Sequence, residues 1–153
     1  MQLLDKIHWI GGIVPDAAAF DDDVQTDIFE VQGEGAVFII FAGTNAGGDS
    51  DVTVQACDNT TPSNTTAVRF YYRACTTFDT WGDWTAAGTD GFTTSTDSNY
   101  MYQVYVPASE LASEGYGYVR LQLSEDTDNE VDGCVLAGVV NPRYVEQPES
   151  LID

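Results

Sequence analysis

The side chains that could carry chemistry are few and lie far apart in the sequence. His8 is the one histidine, and it stands between Ile7 and Trp9 in an apolar segment. Catalysis by a nucleophile or by proton transfer requires a partner group beside it, and the spacings of a serine elbow, a phosphate loop or a zinc protease do not occur. We therefore interpret His8 as a packing or hydrogen-bonding residue and expect a protein that is not an enzyme and uses no cofactor.

The acidic segment 124–132 raises the question of a calcium site. Asp126, Asp128 and Asp132 fall within it, and calcium prefers a shell of carboxylate and carbonyl oxygens. The segment lacks the central glycine and the closing glutamate of a calcium-binding helix–loop–helix. We interpret it as a solvated hairpin turn without metal, and keep the three aspartates as the calcium alternative.

The three cysteines, Cys57, Cys75 and Cys134, are widely separated. Zinc sites and redox dithiols use close pairs of cysteines, so neither is indicated. We interpret all three as small buried hydrophobic residues. A Cys57–Cys75 bridge is the alternative, although it would leave an odd cysteine in a chain with no secretory signal.

Two tryptophans, Trp81 and Trp84, lie with Phe78 and Phe92 in a stretch rich in Thr, Gly and Asp at 76–98. Exposed aromatic rings can stack on sugars, which makes a carbohydrate-binding or adhesion module the alternative function. We favour the interpretation that the rings cover an open end of the fold, and they could instead form a subunit interface. The predicted interface residues are Arg69, Tyr71, Arg73, Trp81, Trp84, Arg143 and Tyr144.

The balance of charge excludes several partners. Twenty-five Asp and Glu against five Lys and Arg give a formal net charge of -20. A phosphate backbone requires a cationic stripe, and an anionic membrane surface repels such a chain, so we expect neither nucleic acid nor membrane as a partner. No apolar run approaches the length of a spanning helix. The 43% hydrophobic content is enough for a folded, soluble domain.

Apolar residues recur with a period of two, which predicts an all-β protein. We expect a single-domain antiparallel β-sandwich or jelly roll with one short crossover helix. The segment 36–42 is apolar on both faces and predicts a central strand covered on each side, in a hairpin with 51–57. The predicted strands are 7–14, 24–31, 36–42, 51–57, 67–75, 100–106, 116–123 and 131–140, and the predicted helix is 107–114. The domain spans 7–142, with an N-terminal arm at 1–6 and a C-terminal tail at 143–153.

Five segments of the sequence resemble a family of small virion proteins of tailed bacteriophages. They are 7–15 (IHWIGGIVP), 54–58 (VQACD), 70–73 (FYYR), 115–121 (GYGYVRL) and 141–144 (NPRY). The resemblance implies a decoration, or cement, protein that is made in the host cytoplasm and binds the major capsid protein on the capsid surface. It also implies a homo-oligomer, with a trimer as the first expectation. A neck or tail position in the virion is the alternative within the same class.

Overall fold

Short antiparallel strands and one helix make up the structure, a computed structural model that describes residues 6–142. The strands are β1 (Ile7–Asp16), β2 (Val24–Gln25), β3 (Phe29–Glu30), β4 (Gly35–Asn45), β5 (Asp49–Cys57), β6 (Thr65–Ala67), β7 (Phe70–Cys75), β8 (Thr85–Ala87), β9 (Phe92–Thr93), β10 (Met101–Pro107), β11 (Tyr118–Thr127) and β12 (Val131–Val140), and the helix is α1 (Ala108–Ser113). The predicted arm at 1–6, apart from Lys6, and the predicted tail at 143–153, with Arg143 and Tyr144, lie outside the described residues.

The strands form two sheets. Sheet A has the order β1-β12-β4-β10-β7-β8, and sheet B has the order β2-β11-β5-β6, with β3 beside β11 and β9 beside β5. Neighbouring strands are antiparallel throughout these pairs. The all-β sandwich fold predicted from the period-two pattern is therefore confirmed.

One hydrophobic core lies between the sheets. Alternate residues of β4 point into it, so Phe38 and Ile40 are fully buried, and Val52 and Val54 of β5 meet them from sheet B. Phe38 packs on Phe29 with ring centroids 5.7 Å apart. Burying each such side chain contributes about 1.5–3 kcal/mol to folding, so this layer fixes the distance and orientation of the two sheets.

Several predicted elements appear at the predicted places. The strands at 7–14, 100–106 and 131–140 and the short helix at 107–114 are confirmed within a few residues. The stretch 76–98 contains the short strands β8 and β9, as its length indicated. Helix α1 begins directly after Pro107 and ends before Gly115, which has a positive φ of 79°. Among residues 6–142, the structure has no helix long and apolar enough to span a membrane.

The predicted hairpin between 36–42 and 51–57 is wrong. The chain leaves β4 in sheet A and enters β5 in sheet B, where β5 pairs with β11 and β6. The crossing is made at Asn45, whose amide oxygen accepts bonds from the backbone N–H groups of Gly47 (2.8 Å) and Gly48 (2.7 Å). Alternation marks which residues of a strand are buried, but it does not say which sheet the strand joins.

Two predicted strands are divided in the structure. The segment 67–75 splits into β6 in sheet B and β7 in sheet A, so Arg69 lies at the crossing and not on the strand that carries Arg73. The segment 24–31 splits into β2 and β3 around Thr26, which is buried and whose hydroxyl accepts a 3.0 Å bond from the Leu121 N–H. The two pieces of segment 67–75 pair with strands of different sheets, whereas β2 and β3 both pair with β11 and are separated only by an interruption of the pairing.

The expectation that segment 36–42 is covered on both faces is also wrong. Its inner residues are buried, but Val37, Ile39 and Phe41 point away from the core, and Phe41 is 44% exposed. Within residues 6–142, no second layer covers this side of sheet A. The apolar outer side of β4 is therefore a surface of the described molecule.

Candidate functional site

The outer face of sheet A is built from three rows of residues that the strand register places side by side. The first row is Trp9, Gly138, Val37, Tyr105 and Tyr71; the second is Leu136, Ile39, Gln103 and Arg73; the third is Cys134, Phe41, Met101 and Cys75. Opposite residues of antiparallel strands point to the same side, so these side chains share one surface. We call this surface the apolar face.

Three large side chains stand out from the apolar face along a diagonal. Trp9, Leu136 and Phe41 lie on β1, β12 and β4, one in each row, and each is 44–45% exposed. Beside Trp9, Gly138 provides the room for the indole, because a Cβ there would lie 3.1 Å from Trp9 Cε3 and 2.9 Å from Ile7 Cγ2. The face thus has a ridge of apolar side chains with half-buried residues on its β10 side.

Within residues 6–142, none of the acidic residues belongs to the apolar face. Its one charged residue is Arg73. Acidic residues lie at the borders of the face: Glu34 is beside Tyr105, whose hydroxyl donates to the Glu34 carbonyl oxygen, and Asp132 and Asp16 line a cleft of about 440 Å³ beyond the third row. Within residues 6–142, the negative charge is therefore carried by these borders and by other surfaces.

Arg73 is held between aromatic rings at the β7 side of the face. Its guanidinium carbon lies 4.9 Å from the ring centroids of both Trp81 and Trp84, and its Nε donates a 2.6 Å hydrogen bond to Gln103 Oε1. Cation–π contacts at exposed sites contribute about 0.5–1 kcal/mol each. The structure therefore brings together Arg73, Trp81 and Trp84 as one unit, and the arginine occupies one side of each indole.

The other predicted interface residues are distributed differently. Tyr71 belongs to the apolar face and is 45% exposed, whereas Arg69 is exposed at the crossing between the sheets. Phe78 is 75% exposed in the loop after β7. Phe92 stacks on Tyr72 at 4.0 Å and packs against the core, so the predicted cluster of four aromatic residues is wrong for Phe92.

The outer face of sheet B is polar where that of sheet A is apolar. Arg120 Nε donates a 2.8 Å bond to Gln55 Oε1, and the Thr93 hydroxyl donates a 2.6 Å bond to Asp51 Oδ1. Gln122 stands opposite Thr53 in the same register. These side chains satisfy one another or face water, so this face needs no further covering layer.

A group of carboxylates lies at the far end of β11. Oxygen atoms of Asp21, Glu125 and Asp128 lie within 4.8 Å of one another. Burial, and then the charges of Asp128 and of Asp21 and its neighbours, raise the pKa of Glu125. Of the three predicted calcium candidates, only Asp128 belongs to this group.

Asp126 and Asp132 lie elsewhere. Asp126 is exposed on β11, at an irregularity in the pairing of β11 with β5 between Glu125 and Thr127. Asp132 faces the cleft beside Phe41. The sequence placed the three aspartates together because they are close in the chain, but the hairpin separates them and brings in Asp21 from before β2.

The cysteines and the histidine take no part in a catalytic arrangement with one another. Cys57 and Cys75 are buried free thiols in different sheets, and Cys134 is a half-buried free thiol on the apolar face. Burial raises the pKa of the Cys57 thiol, which keeps it protonated and unreactive. His8 lies in β1 opposite Val139.

Fold and site together define an all-β sandwich in which no described residue outside sheet A covers its apolar face and none of the three rows of that face is acidic. No protein-family model matches the chain, and no curated protein matches it in sequence. Among solved structures, the fold is similar to that of the SPBc2 prophage-derived protein YomS, with a TM-score of 0.48 and 12% sequence identity over 88% of this chain and 93% of that one.

Part of the apolar face and of its border is predictable from the sequence. The sequence predicts Tyr71, Arg73, Trp81 and Trp84 as interface residues. It does not predict Trp9 and Leu136, because each has the pattern of an ordinary apolar residue of a strand. The sequence feature that indicates the face is the segment 36–42, because it is apolar on both sides. No other segment of the pattern provides a layer to cover its outer residues.

Proposed function

We propose that this protein is a structural component of a tailed-bacteriophage virion, a decoration protein that binds the major capsid protein on the shell, and not an enzyme. The observation that carries the assembly role is the apolar face. Monomeric proteins rarely expose large contiguous apolar patches, and such patches are typical of surfaces that other protein covers. The virion assignment is supported by the five segments that resemble phage virion proteins.

The composition of the apolar face supports a protein partner. Aromatic residues, Met and Arg are enriched in the buried centres of interfaces, and acidic residues are depleted there. The face has Trp9, Phe41, Met101, Tyr71 and Arg73 and no acid. In a particle with many copies, modest contacts of this kind add up through multivalency.

The acidic remainder of the surface fits an outward position on a shell. The net charge of -20 keeps particles apart in solution, and the acids of residues 6–142 lie outside the apolar face, which leaves that face for contacts within the assembly. The alternative of a glycan-binding module rests on Trp81 and Trp84. Each of these rings has one side occupied by Arg73, which leaves less free ring surface for a sugar.

The test is to mix purified protein with phage heads stripped of it, and then to pellet and image them at moderate salt. We expect regular, saturable occupancy of the shell lattice by the wild type and by Gln122→Glu, a substitution on the outer face of sheet B. Leu136→Glu adds the same charge to the apolar face and should reduce occupancy. If no variant binds heads, the decoration role is wrong, and a glycan array with and without calcium then tests the adhesion module.

A further inference from the structure

We propose that the apolar face is covered by a second copy of this chain, so that the unit of assembly is a two-fold pair with the two A sheets face to face. This goes beyond the proposed function, because it names a second copy as the occupant of the face, so that other surfaces of the pair contact the shell and Leu136→Glu reduces occupancy of heads by breaking the pair. It holds whether or not the pair is part of a virion. Three properties of the face support the pair: its charge, its arrangement of apolar and polar residues, and its area.

The distribution of charge favours a second copy over a basic partner. A basic protein would be attracted to the acid-bearing surfaces, such as the group formed by Asp21, Glu125 and Asp128, and not to a face whose one charge is Arg73. Two copies of this chain repel each other through most of their surfaces. Contact through the two apolar faces is the arrangement that brings no acid of those faces against another and directs the acidic surfaces of residues 6–142 outward.

The pattern of the face favours two-fold symmetry. In a two-fold pair the same patch meets itself, so apolar residues face apolar residues. In a ring of three copies, the apolar face would meet a different surface of its neighbour. The outer face of sheet B, with Arg120, Gln55 and Gln122, is polar, and pressing Leu136 and Phe41 against it would bury polar groups without partners.

The geometry of sheet packing allows such a pair. Two sheets pack about 10 Å apart with strands inclined by about 30°, and their side chains interdigitate. The ridge of Trp9, Leu136 and Phe41 stands above the lower surface formed by Met101 and Gln103 on β10. In the pair, the ridge of one copy lies against the lower surface of the other, which gives four layers of β-sheet in sequence.

The area of the face is sufficient for a specific but reversible pair. Half-exposed aromatic side chains offer about 100 Å² each, and the face has three of them, Trp9, Phe41 and Tyr71, beside Leu136. With the partly exposed residues of the three rows, each copy buries about 600 Å², and the pair about 1,200 Å². That is the lower end of specific interfaces, so we expect association that depends on protein concentration.

The experiment is sedimentation equilibrium of the full chain over about 1 to 100 µM, the range in which a small interface of this size associates. The wild type should move from 16.6 kDa toward twice that mass as concentration rises. Because the acidic surfaces repel and the faces attract, the association should strengthen with added salt. A mass of one copy or of three at all concentrations, or an association that salt weakens, would overturn the proposal.

A matched pair of variants locates the contact. Leu136→Glu on the apolar face and Gln122→Glu on the outer face of sheet B each add one negative charge. Circular dichroism is recorded first to check that both variants fold. Leu136→Glu should shift the dissociation constant upward by at least tenfold, and Gln122→Glu by less than threefold, because a buried unpaired charge costs more than an exposed one. Equal effects would overturn the proposal.

A second variant and a chemical probe serve if Leu136→Glu does not fold. Trp9→Ser shortens the ridge without adding charge and should also weaken the pair. Cys134, half-buried on the same face, should react with a maleimide more slowly at high than at low protein concentration. If the wild-type protein stays monomeric but occupies heads, the two-fold pair is wrong and the decoration role is supported. If the protein forms the pair but never binds heads, the decoration role is wrong and the pair is supported.

Discussion

The outer faces of the two sheets contain the same cross-strand pair in opposite surroundings. On sheet A, Arg73 donates to Gln103 at 2.6 Å, and on sheet B, Arg120 donates to Gln55 at 2.8 Å. The first pair lies among Ile39, Leu136 and two tryptophans, and the second among glutamine and threonine side chains. An arginine on a strand therefore does not mark an interface by itself. The residues around it decide whether the surface is complete in water or requires a cover.

The largest expected effect comes from a residue of the core, compared with a residue of the same strand on the apolar face. Phe38 and Phe41 lie on the same strand and point to opposite sides of sheet A. Phe38→Ala should lower the free energy of unfolding by about 3–5 kcal/mol, because it leaves a cavity against Phe29. Phe41→Ala should cost below about 1 kcal/mol in dilute, monomeric protein. Urea denaturation measures both, and equal losses would mean that the outer side of β4 is covered within a single chain.

The two arginine–glutamine pairs give the next largest effect. Arg73→Ala removes a hydrogen bond and two contacts with Trp81 and Trp84, and should destabilise the protein by about 1–2 kcal/mol. Arg120→Ala removes one hydrogen bond and should cost about 0.5–1 kcal/mol. Only the first variant should change the tryptophan emission of the folded protein. A change of emission in Arg120→Ala of the same size would contradict the assignment of both rings to Arg73.

The acidic end of sheet B contrasts with the acid-free face in its response to pH. The pKa of Glu125 is raised in the folded protein, so the stability linked to its protonation is fully present below the ordinary glutamate value of 4.5 and is lost as pH rises through the raised value. Glu125→Gln should therefore raise the melting temperature at neutral pH, and the gain should vanish below pH 4.5. High salt should reduce this gain in melting temperature, because it screens the repulsion among the carboxylates.

The matched control for Glu125→Gln is Asp126→Asn, an exposed neighbour outside the carboxylate group. It removes the same charge, and its effect on the melting temperature should be smaller. Thermal denaturation at several pH values measures both. A lower melting temperature of Glu125→Gln at neutral pH would contradict the repulsion among these carboxylates.

The smallest effect is chemical and leaves stability unchanged. Cys134 is half-buried on the apolar face, whereas Cys57 and Cys75 are buried. Mass spectrometry of dilute native protein treated with a maleimide should show labelling at Cys134 first, and labelling of the other two only after unfolding. Fast labelling of Cys75 in the folded state would mean that the Trp81 side of the face is more open than described.

Much of the fold followed from the sequence because period-two alternation reports burial directly. The strand at 131–140 and the helix after Pro107 were predicted within a few residues. The exchange between sheets after β4 and at Arg69 was not, because the local pattern of an apolar strand is the same in either sheet. Topology depended on the turn built around Asn45 and on a register that only contacts distant in sequence define.

The candidate site was predictable where residue type alone marks it. Arg73, Trp81 and Trp84 were identified in advance, and the structure joins them. Trp9, Leu136 and Phe41 come from three strands far apart in the chain, and their diagonal depends on the register of β1, β12 and β4. The same reason explains why the sequence does not predict that Asp21 lies beside Glu125 and Asp128.

We propose that other protein covers the apolar face. Photochemical footprinting with a small carbene reagent tests this by comparing dilute protein with protein assembled at high concentration or on heads. Labelling of Trp9, Leu136 and Phe41 should fall on assembly, while that of Gln122 and Thr53 should stay unchanged. Constant labelling of the apolar face, with protection of the outer face of sheet B, would contradict it.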